Sequence, residues 1–322
     1  MINLYLEYGM SKQLRERSLQ SYKQTLGLFA AWIRDQGILE IEEIKDATIR
    51  KYILSLQSRG KYTAYVEKEK EEINCPSHRK DYGKPLTNLT INGYLRNIRG
   101  FFTWLVEEEY LDKSPMRRIK MLPHDRNGKK YLEDAEVRAL FGIFDKGIYS
   151  EYRDMVIAMI MLDCGTRLGE TLSIERNQLD VIQRTIVLPA DKTKGRKERV
   201  VFFSQRTARE LRKWIQRKER ECDSDYIFPV LRTAGELSVR NYEANFRKYL
   251  KRTGIAKQVS PHTLRNNFAR RCLMSGMDVY TLSRILGHSS VTVTEKAYLD
   301  VKDQELRSKY VQHSPLEGVY RR

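Results

Sequence analysis

Long apolar runs, closely paired cysteines and a secretory head are all missing from this 322-residue chain. The longest strictly apolar stretch, Met155 to Leu162, has eight residues, against roughly 20 for a helix that crosses a bilayer. No basic head followed by an apolar stretch opens the sequence, so no secretory signal is visible and a cytoplasmic location is expected. The cysteines Cys75, Cys164, Cys222 and Cys272 stand far apart, which fits reduced, mostly buried thiols rather than a disulfide frame. Cys75 and His78 have half the spacing of a zinc site, and no second pair nearby completes it. Carboxylates clustered at two-metal spacing are lacking too, as is any internal repeat. Neither a metal nor a cofactor is expected.

What the chain has in excess is positive charge, a formal +17 at neutral pH. Such a surplus calls for an extended polyanion as partner, because each phosphate neutralised releases counterions. A membrane surface is the competing polyanion, but nothing in the sequence spans or anchors. Hydrophobic residues make up 41%, enough for a folded core, so this is not a disordered polycation. The length suits two domains.

The first third reads as helices. Leu19, Tyr22, Leu26, Phe29 and Ile33 recur at intervals of three and four, with Gly37 as a stop. Ile49, Ile53 and Leu56 mark a second helix ending before Gly60. The charge-dense stretch 61–85 has no apolar period and reads as part helix extension, part long loop. Ile91, Leu95, Ile98, Phe102 and Leu105 define a third helix, whose Arg96 and Arg99 are either a solvated face or DNA backbone contacts. The expected boundaries are a helical domain over 1–120, a linker over 121–130 with Pro123 and Gly128, and a second domain over 131–322. In that second domain, Met155 to Leu162 is apolar all round, as in a central helix. Thr185 to Leu188 and Val200 to Phe203 flank a polar tip and predict a hairpin. Helices are expected near 206–219, 239–252, 262–275, 278–286 and 293–299.

Six residues of this half combine into a constellation. Arg167 follows Cys164, Gly165 and Thr166, where the central helix should stop, and its planar fork suits two phosphate oxygens; Glu170, one turn on, is placed to orient it. Lys194 lies in the run Asp191 to Arg199, where five of nine residues are basic and Gly195 permits a tight turn. His262 and Arg265 are three apart after Pro261, on one face of a helix start. Gly287 can end the helix of Val279, Leu282, Ile285 and Leu286 with a positive φ, holding His288 just beyond it. Thr292 and Glu295 have capping-box spacing, so another helix should begin there and carry Tyr298. Each signal has a bland alternative: a helix-start arginine paired to Glu170, a DNA-gripping loop with no unique lysine, a chance His-x-x-Arg, a core tyrosine.

Taken together and in order, Arg167, Lys194, His262, Arg265, His288 and Tyr298 resemble the tyrosine recombinase (phage integrase) family, over nearly the whole chain. The resemblance selects Lys194, directly before a glycine, over Lys192 and Lys197. It implies a mainly α protein: an N-terminal helical core-binding domain of the SAM-like bundle kind, and a mixed α+β catalytic domain with a small β-hairpin or sheet. It also implies a site-specific DNA recombinase in which Tyr298 is the nucleophile of a 3′-phosphotyrosine step and the other five residues are catalytic. The implied partners are double-stranded DNA with inverted half-sites and three further copies of the chain, the tail with Leu306, Tyr310 and Val311 packing onto a neighbour. Asn266 departs from the pattern, since many relatives carry histidine there, and the 61–85 region looks long. With no arm-binding domain in view, the simple Xer/Cre-like type is expected, serving integration, excision or resolution of DNA, as for a mobile element. A nicking-closing enzyme like type IB topoisomerases and a non-catalytic DNA-binding regulator are the alternatives.

Overall fold

The computed structural model of the chain describes residues 1–64, 79–123, 130–193, 195–288 and 290–298, with residues 296–298 described by backbone alone. It divides into two compact units, Met1–Arg126 and Asn127–Arg322.

The first unit is helical: α1 (Ile2–Ser11), α2 (Glu16–Asp35), α3 (Asp46–Ser58) and α4 (Asn88–Glu107). The apolar stripes read from the sequence close on one another: Leu26, Ile49, Leu56, Ile91, Leu95, Ile98, Phe102 and Leu105 are all buried in one core. Truncating any of them to alanine would typically cost about 2–5 kcal/mol. Tyr22 sits only partly buried at its margin. Helix α2 stops where Gly37 turns to φ 74°, and Thr87 caps α4 by accepting the Thr90 N–H at 3.3 Å.

Helix α1 has no counterpart in the sequence reading. It buries only Tyr5, Leu6 and Gly9, too few for a repeating stripe, and docks through Tyr5, whose ring lies 5.4 Å from Phe101 and 5.3 Å from Trp104. The long polar stretch is pinned at its base, where Lys61 N–H donates to the Lys84 carbonyl at 2.8 Å. Residues 65–78, with Cys75 and His78, lie outside the described residues. Segment 116–123 is strapped to α4: the Asn92 amide donates to Leu122 O at 2.9 Å and accepts Leu122 N–H at 2.8 Å. Arg99 donates to Ile119 O at 2.5 Å, so one of the two arginines of that helix ties the strap, while Arg96 is exposed.

The second unit holds α5 (Asp134–Gly142), α6 (Tyr149–Cys164), α7 (Leu168–Leu172), β1 (Leu179–Asp180), β2 (Thr185–Leu188), β3 (Arg199–Phe202), α8 (Gln205–Glu221), α9 (Val239–Thr253), α10 (Pro261–Met274), α11 (Val279–Leu286) and α12 (Val291–Tyr298). Helix α6 is buried on every side and packs against α8 and α10, with Val156, Ile157, Ala158, Met161 and Cys164 fully inside. Three antiparallel strands in the order β1-β2-β3 form the sheet, and Ile186 faces Val201 beneath it. A mainly α chain with one small sheet is therefore the fold. Boundaries shift by a residue or two: β3 runs Arg199–Phe202 in place of Val200 to Phe203, and α12 begins at Val291, so Thr292 lies inside its first turn instead of capping it. Within that helix Thr294 is wholly buried and meets His288.

Among the described residues no helix is long and apolar enough to cross a membrane. Cys164 and Cys222 are buried free thiols and Cys272 a half-buried one.

Candidate active site

Three chain reversals build the site. Helix α6 ends on Gly165 at φ 66°, and a Cβ there would fall 2.3 Å from the Phe268 ring, so only glycine fits. Two residues later Arg167 starts α7 from the N-cap position. Its backbone N–H donates to Glu170 Oε2 at 2.8 Å and its Nη1 to Glu170 Oε1 at 2.7 Å. Its Nη2 donates to the Gly287 carbonyl at 3.3 Å, and the side chain keeps 26% of its surface exposed.

The second reversal is Gly287, at φ 64°, ending α11. Arg265, on α10 and only 2% exposed, donates from Nη1 to Gly165 O at 2.6 Å and from Nη2 to Leu286 O at 2.7 Å. A guanidinium set between the carbonyl ends of two helices lies where both macrodipoles are negative, and that setting makes its burial tolerable. Arg167 and Arg265 thus bind the adjacent carbonyls of Gly287 and Leu286. Arg265 Nη2 also lies 3.1 Å from His288 Nε2. Arginine only donates, so Nε2 is the acceptor, the proton sits on Nδ1, and Nδ1 donates to Thr294 Oγ1 at 2.7 Å. The imidazole is held from both sides.

The third is the hairpin strand β3. Arg199 crosses above Gly287, its Cδ, Nε and Cζ each 3.0 Å from where a Cβ would stand. Its Nε donates to Ile285 O at 3.1 Å, and its fork meets Glu170 with Nη1 to Oε1 at 3.2 Å and Nη2 to Oε2 at 2.6 Å. Glu170 is 3% exposed. Burial works to raise its carboxyl, but the hydrogen bonds and charge of Arg199, then the Arg167 contacts, outweigh it and hold the group below its ordinary range. Two guanidiniums, those of Arg167 and Arg199, flank one carboxylate, so the cluster presents net positive charge.

The structure brings together Arg167, Arg265 and His288, three of the six residues singled out in the sequence. His262 is exposed in the first turn of α10 while Arg265 on the same helix is buried, so the two do not share one environment. Lys194 lies outside the described residues. Its neighbour Thr193 is buried and staples the loop, donating to Lys197 O at 2.9 Å and accepting Lys197 N–H at 3.1 Å. Tyr298 closes α12 by its backbone; its side chain and the tail residues Leu306, Tyr310 and Val311 are beyond what is described. In the sequence Arg199 reads as one basic residue in a basic run. The signal for it is parity: it shares a strand face with Val201, the buried position of β3.

The phage integrase family model matches residues 130–305, and the chain belongs to that family. The chain is 24% identical to tyrosine recombinase XerC of Bacillus subtilis, over 98% of this chain and 96% of that one. It is 28% identical to tyrosine recombinase XerD of Pseudomonas putida, over 97% and 94%. Its fold resembles the crystal structure of XerH site-specific recombinase bound to a palindromic difH substrate, with a TM-score of 0.67 at 14% identity, covering 92% of this chain and 80% of that one. The class is a tyrosine-type site-specific DNA recombinase, an enzyme; neither a purely regulatory DNA binder nor a nicking-closing enzyme is favoured by these matches.

Proposed function

We propose that Tyr298 attacks a scissile phosphate in duplex DNA and that Arg167, Lys194, His262, Arg265 and His288 serve that step. The observation that carries this reading is the convergence of Arg167, Arg265 and His288 on the turn Leu286 to His288, three residues before the helix that ends on Tyr298. The Tyr298 oxygen bonds to phosphorus, the bond to the 5′-oxygen breaks, and the products are a 3′-phosphotyrosine and a 5′-hydroxyl. Arg167 and Arg265 stabilise the non-bridging oxygens, each such donor being typically worth ~10²–10³ in rate. Lys194 hands a proton to the departing 5′-oxygen, a role worth ~10²–10⁴. His288 hydrogen-bonds the phosphate and His262 assists proton transfer or holds the site. Attack by the 5′-hydroxyl of a partner strand reverses the chemistry and completes exchange without ATP.

In the same reading residues 1–120 grip DNA from one side, 121–130 link, and 131–322 catalyse. Four copies assemble on two DNA sites with inverted half-sites, the tail from Leu299 onward reaching a neighbour. The net charge of +17 supports a DNA clamp; the work is done in the cytoplasm, on a mobile element or a chromosome.

Tyr298→Phe tests this, because it removes only the phenolic oxygen. Incubated with a nicked suicide substrate and run on a denaturing gel, wild type should give a covalent protein–DNA band and the variant none, while both shift the site in a native gel. Equal covalent product from the two proteins would reject Tyr298 as the nucleophile. The particle mass of the variant on two-site DNA checks the four-copy assembly.

A further inference from the structure

We propose that Arg199 is a positioning residue for DNA cleavage: it latches strand β3 to the Glu170 carboxylate and so holds the Arg167 guanidinium toward the scissile phosphate. This rests on the reading of Arg167 as a phosphate ligand.

Glu170 accepts four hydrogen bonds, two from Arg167 and two from Arg199. With both oxygens shared, the carboxylate does not close bidentately on the Arg167 guanidinium, of which only Nη1 is engaged by it. The Arg167 side chain stays partly exposed, whereas the Arg199 side chain is 9% exposed. Arg199 therefore contacts the carboxylate from inside and Arg167 from outside. Charge points the same way. One guanidinium against one buried carboxylate is neutral; the second restores a positive charge that an incoming phosphate can feel at short range.

The latch also joins three elements that carry the site. Arg199 begins β3 five residues after Lys194, reaches Glu170 on α7, and donates through Nε to Ile285 O in the last turn of α11. Those are the hairpin of the proposed general acid, the helix opened by Arg167, and the helix whose end holds His288. Gly287 is glycine for two reasons: its φ of 64°, and the Arg199 side chain crossing where a Cβ would be.

The test is single-turnover cleavage of the suicide substrate at saturating protein, for wild type, Arg199→Gln, Glu170→Gln and the double variant, with site affinity measured alongside. Arg199→Gln should cleave about 10²-fold more slowly, the cost of an ångström-scale misplacement, with affinity near wild type. Since the neutral amide of Glu170→Gln no longer captures Arg167, the double variant should be no slower than the slower single variant. Wild-type cleavage by Arg199→Gln would overturn the proposal. So would lost affinity with an unchanged saturated rate, which would make Arg199 a DNA contact, or independent, multiplying effects of the two substitutions. Should Arg199→Gln not fold, Arg199→Lys decides: it keeps the charge but not the fork, so slow cleavage by a protein with a wild-type melt supports the latch and wild-type cleavage overturns it. A wild-type protein that forms no covalent product overturns the reading of the site as a whole; covalent product from wild type with Arg199→Gln unaffected overturns the latch alone.

Discussion

Two buried carboxylates of the second unit, Glu170 and Asp154, are built from the same materials and end in opposite states. Asp154, wholly inside α6, binds one guanidinium: Arg153 donates to Oδ1 from Nε at 2.9 Å and Nη2 at 2.8 Å. Its other oxygen takes neutral donors, the Asn245 amide and the Tyr249 hydroxyl, both at 2.9 Å. Burial dominates, and the carboxyl is raised above its ordinary value despite Arg153. Glu170 is almost as deep, yet two guanidiniums and a backbone N–H outweigh burial and lower it. Charge count, not depth, separates them. The Asp154 cluster is neutral, sealed by the Pro229 carbonyl on Arg153, and ties α6 to α9. The Glu170 cluster is in positive excess and keeps one arginine partly at the surface, the composition a phosphate site needs.

The largest effect should come from Asp154→Ala. It strands Arg153 in the interior, and breaking a buried pair typically costs about 3–5 kcal/mol. Urea unfolding should show that loss, while the folded fraction still forms covalent product. Glu170→Ala should reverse the ranking, losing far more cleavage and less stability, because Arg167 can turn to solvent and the buried Arg199 keeps the Ile285 carbonyl. If Asp154→Ala abolished chemistry in a fully folded protein, the division into a structural and a functional cluster would be wrong.

A smaller effect sharpens the same contrast by pH. Glu170 has a depressed folded-state value, so its contribution is present above the unfolded carboxylate range and is lost as pH falls through the folded value. Asp154 has a raised value, so its contribution is present below the unfolded value and is lost as pH rises through the folded one. The stability gap between wild type and Glu170→Gln should therefore narrow on acidification. The gap between wild type and Asp154→Asn should shift in favour of wild type over the same change. Urea midpoints collected across the acid range check this, and two gaps moving in the same direction would contradict the account.

The contrast also marks what could be read from residues alone. Arg167, Arg265 and His288 were legible because each sits at a helix boundary that a glycine or proline announces, Gly165, Pro261 and Gly287. The helices of the first unit were legible through their apolar spacing, except α1, which docks through Tyr5 rather than a stripe. Arg199 was not legible in the same way, since five of nine residues around it are basic and only its register with Val201 sets it apart. Asp154 precedes the apolar run Met155 to Leu162 and reads as its polar flank. Its burial follows from Tyr249 and Asn245, more than 90 residues away, a pairing that no local pattern encodes. The i, i+3 spacing puts His262 and Arg265 on neighbouring helix positions about 60° apart in phase, and that offset leaves His262 exposed while Pro261, Thr263, Leu264 and Arg265 around it are buried.

The central claim is that the chain joins itself to DNA through the tyrosine at the end of α12. Wild-type protein trapped on a suicide substrate, digested with nuclease and trypsin and mapped by mass spectrometry, tests it directly. The nucleotide should be carried, through a 3′-phosphate, by the tryptic peptide Ala297 to Lys302, in which Tyr298 is the sole tyrosine. A nucleotide on any other peptide, or linked through a 5′-phosphate, would contradict the account.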